Sequence, residues 1–160
     1  MIITHNRKAF SLLTALVVIV LMATVAILTM SMTGKIVKGT TTQFRKEQAV
    51  LIAKSYTELA IMAVTANDRS IDCMEDIDAT NVLGTNSANG EGYRVRTRIS
   101  YIGGASEDFS KCSGLRVLNN TVVTPASSLN IIVDTYVEYR ELDNTTSPYI
   151  TYHRRTLQKI

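Results

Sequence analysis

Between Ala9 and Gly34 the chain carries no charged side chain, and it contains no proline before Pro125. The first absence rules out a water-facing surface for that stretch, and the second leaves nothing to break a long helix across it. Soft metal ligands are scarce as well. Two cysteines and two histidines are too few for a structural zinc site beside ordinary use of those residues. There is little charge of one sign: 17 Lys+Arg stand against 14 Asp+Glu, and without Arg7 and Lys8 the count is 15 against 14. That balance supplies no basic field of the kind that binds nucleic acid. No nucleophile motif, phosphate loop or metal-ligand spacing occurs. His153, next to Arg154 and Arg155, reads as a sheet-surface residue rather than a general base. The expectation is a protein without enzymatic activity, cofactor or metal.

At 160 residues the chain has room for one modest domain and an anchor. The anchor is the apolar run from Phe10 to Met32, longer than the roughly 20 helical residues that cross a bilayer core. Its polar members are Ser11, Thr14, Thr24, Thr29 and Ser31. Their hydroxyls can bond back to a carbonyl one turn earlier, which makes them tolerable in lipid. A cleaved secretory signal fits poorly, because its apolar region spans about 7–15 residues before a small-residue site. A signal anchor or a chain cut ahead of the run, at Ala9/Phe10, both remain. Arg7 and Lys8 argue for a cytoplasmic N-terminus, while Lys35 and Lys38 flank the other end.

The stretch Arg7-Lys8-Ala9-Phe10-Ser11-Leu12-Leu13, followed by an unbroken aliphatic helix, resembles the prepilin leader of type IV pilins and type II secretion pseudopilins. The resemblance covers about the first 60 residues. It implies a leader at 1–9, a transmembrane helix at 10–33, its continuation at 34–66 into the exported part, and a domain at 67–160. It further implies cleavage by a prepilin peptidase between Ala9 and Phe10, and N-methylation of Phe10. The implied setting is a bacterial inner membrane crossed once, with the C-terminal domain in the periplasm and other pilin or pseudopilin subunits as partners. The family normally has Glu at the fifth position after the cut; here it is Thr14. A carboxylate there costs about 2.5–3.5 kcal/mol on insertion scales unless paired, and in the family its proposed partner is a neighbouring subunit's N-terminal amine. Thr14 cannot make that pair. The tip-forming K-type minor pseudopilin also lacks the glutamate, so by analogy the chain resembles a minor, initiating or tip subunit. It is shorter than expected for that K-type protein and is not assigned there.

Beyond Gly34 the pattern stays helical, with Ile52, Tyr56, Leu59, Ala60 and Ala63 at helical spacings and Lys54, Ser55 and Glu58 on the other side. Gly34, Gly39 and Thr40-Thr41-Thr42 mark the expected place for a bend. From Ala66 to Gly92 the composition reads as a long loop. Its acidic residues Asp68, Asp72, Glu75, Asp76 and Asp78, and the oxygen-rich Asn86, Asn89 and Glu91, lack the ligand spacing of an EF-hand and read as solvated.

Strand patterns follow. Tyr93, Val95, Thr97, Ile99 and Tyr101 alternate with Arg94, Arg96, Arg98 and Ser100. Leu115–Leu118 and Thr121–Val123 flank Asn119-Asn120 as a candidate hairpin. Longer strands are expected at Leu129–Leu142 and Tyr149–Leu157, joined by a turn-rich segment at 143–148. The fold class is therefore α+β: a long N-terminal helix, transmembrane in its first half, packed on a small antiparallel sheet in the pilin-like manner. Asp134 and Glu138 fall on one strand face and can answer the arginine stripe across strands, a reading favoured over a nucleic-acid site. Cys73 and Cys112, an even pair in an exported domain, favour a disulfide. Its closure would contribute roughly 4 kcal/mol on a chain-entropy argument.

Two functions fit these features. One is a minor-pseudopilin-like structural subunit of a type II secretion, type IV pilus or DNA-uptake assembly. The other is a non-polymerising, single-pass anchor carrying a periplasmic binding domain.

Overall fold

The computed structural model describes residues 6–104, 106–122, 129–141 and 146–160, with side chains from residue 12 onward. Helix α1 runs from Asn6 to Ala66, and strands β1 (Asp76–Asn86), β2 (Glu91–Gly103), β3 (Val117–Asn119), β4 (Leu129–Tyr139) and β5 (Ile150–Lys159) follow. Two compact units divide the chain, one ending at Phe44 and the other beginning at Arg45.

In the first unit every described side chain is exposed. Leu12, Leu16, Ile19, Val20, Leu21, Ile27 and Leu28 all lie open. Helical hydrogen bonding satisfies the backbone, but this apolar surface has no protein to cover it. The expected back-bonding is present: Thr24 donates to the Leu21 carbonyl and Thr29 to that of Ala26, each at 2.8 Å. Thr40, Thr41 and Thr42 do the same toward Ile36, Val37 and Lys38. α1 passes through Gly34, Gly39 and these threonines as one helix, so the weak middle is not a break.

In the second unit one stripe of α1 is buried: Arg45, Ala49, Ile52, Ala53, Thr57, Ala60 and Val64, at the three- and four-residue spacing of a single helix face. Three alanines bring the helix backbone close to the sheet. The stripe corrects the expected core face. Ile52 and Ala60 are buried as expected, but Leu59 is 43% exposed and Thr57 takes a central place. A bulky leucine belongs on the flank when close approach of helix to sheet sets the spacing.

The sheet order is β1-β2-β4-β5 with antiparallel neighbours, and β3 pairs with β2 in parallel. The α+β layout expected from the sequence is thus present, with two corrections. The acidic segment 76–86, expected as loop, forms β1. Its alternation is hidden because bulges interrupt the register after Ala79 and Val82, with Asn81 and Leu83 at φ 60° and 54°. The expected hairpin about Asn119-Asn120 is replaced by β3 alone, which takes the position beside Tyr101 and Ile102. Val122 instead donates its N–H to the Gly103 carbonyl, while Val123 lies outside the described residues. β2, β4 and β5 match the expected strands within a few residues. Residues 142–145 of the connection before β5 also lie outside the described set.

Two apolar clusters fill the helix–sheet interface. Ala49, Ile52 and Ala53 meet Tyr93, Val95, Val137 and Tyr139; Ala60 and Val64 meet Ile99, Tyr101, Leu129, Ile131 and Val133. Each large aliphatic side chain buried here contributes about 1.5–3 kcal/mol. Threonines stand at the middle of the interface. Thr57 donates to the Ala53 carbonyl at 2.7 Å, so Thr135, 3.2 Å away, donates to Thr57. Thr97, opposite Thr135 in the register, is fully buried, and its hydroxyl has no partner among the described residues. A buried hydroxyl without a hydrogen bond costs about 1–3 kcal/mol. Thr97→Val, which keeps the shape and removes that hydroxyl, is expected to raise stability by about 1 kcal/mol. Thr135→Val should lower it, because it strips a bond from Thr57. Paired thermal melts of the two variants check this ordering.

Candidate functional site

Three features concentrate the chemistry of this chain: the N-terminal helix, the outer face of the sheet, and the junction where α1 enters its domain. On the helix, Ala9 and Phe10 lie in the first turns of α1, and their side chains fall outside the described set. Thr14 is exposed on a helix that, from Leu12 onward, is long and apolar enough to cross a membrane.

At the junction stands Arg45, which sequence reading passed over. It is 8% exposed, yet no carboxylate pairs with it among the described residues. Its guanidinium donates to the carbonyls of Arg140 at 2.6 Å, Gly90 at 2.7 Å and Gly92 at 3.4 Å. It also lies 5.5 Å from the Tyr93 ring centre and 5.3 Å from that of Tyr139. Burying a cation is costly unless its donors are met; here carbonyl dipoles and two ring faces meet them. The available signal was its four-residue spacing from Ala49 and Ala53, which places it on the buried stripe.

The outer sheet face answers the question posed by the arginine stripe. Arg94 donates to Glu138 at 2.7 Å, and Arg96 holds the other oxygen of the same carboxylate. Arg98 faces Asp134 in the register, but its side chain turns to Asp78 at 3.2 Å and Asp76 at 3.4 Å. Asp134 is taken from the other side, by Arg155 at 2.8 and 2.9 Å and by His153 at 2.7 Å. His153 stacks on Tyr136 with ring centres 4.4 Å apart. Of the two carboxylates expected to answer the arginine stripe, Glu138 does so through Arg94 and Arg96, whereas Asp134 is held by β5 and Arg98 by β1. His153 is thus held between the Asp134 carboxylate and the Tyr136 ring. It sits in an ion-paired surface.

Burial works to raise the carboxyls of Asp134 and Glu138. The hydrogen bonds and charges of Arg155 and His153 on the first, and of Arg94 and Arg96 on the second, outweigh it and hold both below their ordinary values of 3.8 and 4.5. Asp78 is lowered chiefly by its hydrogen bond from Arg98. Tyr101 shifts the other way: burial pushes its phenol up to about 12.

Cys73 and Cys112 form a disulfide with Cα atoms 5.0 Å apart. It ties the segment before β1 to the one after β2, against the second apolar cluster. Glu75 comes within 4.8 Å of both sulfurs, but its carboxylate accepts the Ser113 N–H and the sulfurs are bonded to each other. The other acidic residues of the segment are also engaged. Asp68 caps Ser70, Asp72 accepts from Cys73, and Asp76 pairs with Arg116 at 2.7 Å.

Comparisons with protein-family models, with curated proteins and with solved structures return no match. The chain's class is therefore stated from its own structure: a long apolar N-terminal helix whose second half packs on an antiparallel sheet, with one membrane-capable span and one disulfide.

The lowered carboxylates carry a pH dependence. Their stabilisation is fully present above the unfolded values near 4 and is lost as pH falls through the lower folded values. Thermal melts from pH 7 down to pH 2 should show a steady loss below about pH 4. Glu138→Gln should be less stable at pH 7 yet show a shallower acid slope. An unchanged slope in that variant would contradict the assignment.

Proposed function

We propose that this chain is a pilin-like structural subunit, of the minor pseudopilin kind, in a type II secretion, type IV pilus or DNA-uptake assembly. The observation that carries the reading is the division of labour along α1. One helix is wholly exposed and apolar over its first half, then packs on a sheet through Ala49, Ala53, Ala60 and Val64. A membrane anchor needs only the first half; a subunit drawn from membrane into filament needs both halves in one helix. Leu51 and Met62, exposed on the side of α1 away from the sheet, and Leu59 on its flank extend the uncovered apolar surface into the second unit and suit packing against sister helices.

In this reading the N-terminus is cytoplasmic and the domain periplasmic. A prepilin peptidase removes 1–9, Phe10 becomes the methylated first residue, and subunits then leave lipid for a helical bundle. Cohesion comes from helix packing, and work comes from a separate ATPase, since the chain has no nucleotide motif. Thr14, in place of a membrane-embedded glutamate, fits a minor or tip position, where no second subunit must be registered by that charge.

Intact-mass and N-terminal analysis of protein purified from membranes tests the proposal. Chains beginning at methylated Phe10 are expected. Chains retaining Met1 through Ala9 would remove the filament reading and leave the plain anchor with a periplasmic binding domain.

A further inference from the structure

The two edges of the sheet differ in charge and in regularity. At one edge, β5 pairs with β4 through ten consecutive partners without a shift, from Asn130↔Lys159 to Tyr139↔Ile150. The Ile160 N–H donates to the Leu129 carbonyl at 3.1 Å, which sets the alternation of the antiparallel ladder. Tyr152, Arg154, Thr156 and Gln158 turn their backbone groups to β4, whereas Thr151, His153, Arg155, Leu157 and Lys159 turn theirs outward. Those outward residues include two permanent cations and a histidine, and β5 contains no carboxylate.

At the other edge the Ile99 N–H donates to the Glu75 carbonyl at 2.8 Å. By the same alternation Ile77 and Ala79 face β2, and Asp76 and Asp78 turn their backbone groups outward. β1 contains no cation. Among the described residues, no backbone bond beyond the sheet's own ladders engages either row of outward groups. The side chains keep room for a further partner as well: Asp76 and Asp78 are about half exposed, and Arg155 is 65% exposed.

An open edge strand is a template for another strand, and charges decide which strand it accepts. Two β5 edges together would set arginine against arginine, and two β1 edges aspartate against aspartate. Only β5 against β1 joins opposite charges. The directions also agree: three antiparallel steps separate β1 from β5 in the sheet, so a second copy placed edge to edge continues the sheet antiparallel with its charged face on the same side.

We propose that the β5 edge of one copy of this chain pairs with the Asp76–Ala79 edge of a second copy, with Asp76 opposite Arg155 and Asp78 opposite His153. The bulges after Ala79 confine the pairing to this short stretch, so it is weak in solution and effective where copies are concentrated in a membrane. Such a contact is head-to-tail and leaves a free edge at each end. The inference stands on the sheet edges and does not rest on the filament reading.

The test uses the full chain in lipid vesicles, as a mixture of isotopically heavy and light copies, with a benzophenone amino acid at Thr151. Heavy–light crosslinks are expected onto the second copy near Thr80. His153→Pro removes the outward N–H opposite Asp78 and leaves the β4 ladder whole; it should cut the product roughly tenfold below that of His153→Ala, which loses the same side chain and keeps that N–H. Asp76→Lys, a charge reversal at a half-exposed side chain opposite Arg155, should also reduce it severalfold. The absence of heavy–light product, linkage of β5 to β5 or to α1, or a yield indifferent to both His153→Pro and Asp76→Lys would overturn the proposal. Crosslinked chains that retain Met1 would sink the filament reading and leave this one standing.

Discussion

The fold is organised around one helix that presents two different surfaces along its length. From Leu12 to Thr33 α1 offers apolar side chains in every direction, a surface suited to an apolar environment rather than to water. From Arg45 onward a single stripe is apolar and small, and a sheet covers it. Continuous backbone hydrogen bonding links the two halves without a break. The three threonines at 40–42 are weak helix formers, but their hydroxyls bond back to the preceding turn. That helps a polar stretch remain helix rather than become a linker.

The domain is built to hold polar groups where the helix stripe forces them. Arg45 is kept by carbonyls and tyrosine faces rather than by a carboxylate. Thr57 and Thr135 satisfy each other between two apolar clusters, and Thr97 is left out. On the opposite face no cluster of apolar residues is needed, and charge does the ordering. Four carboxylates, Asp76, Asp78, Asp134 and Glu138, take hydrogen bonds from arginines on β2, on β5 and in the loop before β3. Exposed ion pairs individually contribute little, but Glu138, with a side chain 5% exposed, accepts two arginines and needs both. The disulfide fastens a region, around Cys73 and Cys112, where short β3 and the loops contribute little regular pairing.

Much of this was legible in the sequence, for reasons that differ by element. The membrane-capable helix was plain because a long uncharged apolar run is its whole signature. β2 was plain because its two faces meet different environments, apolar core and charged surface, and so alternate cleanly. β1 was hidden because it is an edge strand with two bulges, and its acidic residues resemble those of a loop. β3 was misread because its pairing is set by distant β2 rather than by the adjacent turn. The core face of α1 was displaced because hydrophobicity favours Leu59, whereas packing distance favours alanine and threonine. Arg45 escaped notice because a cation at helical spacing normally marks the wet side. The disulfide agreed with the even cysteine count; its geometry was not something sequence could give.

Spin labels placed singly along α1 in the full chain, reconstituted in lipid vesicles, measure this division of labour most directly. The account predicts that labels at Val17 and Val25 collide with dissolved oxygen and are shielded from a water-soluble nickel complex. A label at Leu51 should be reached by the nickel complex, and one at Ala53 should be immobile and shielded from both. Nickel accessibility at Val17 and Val25 equal to that at Leu51 would contradict it.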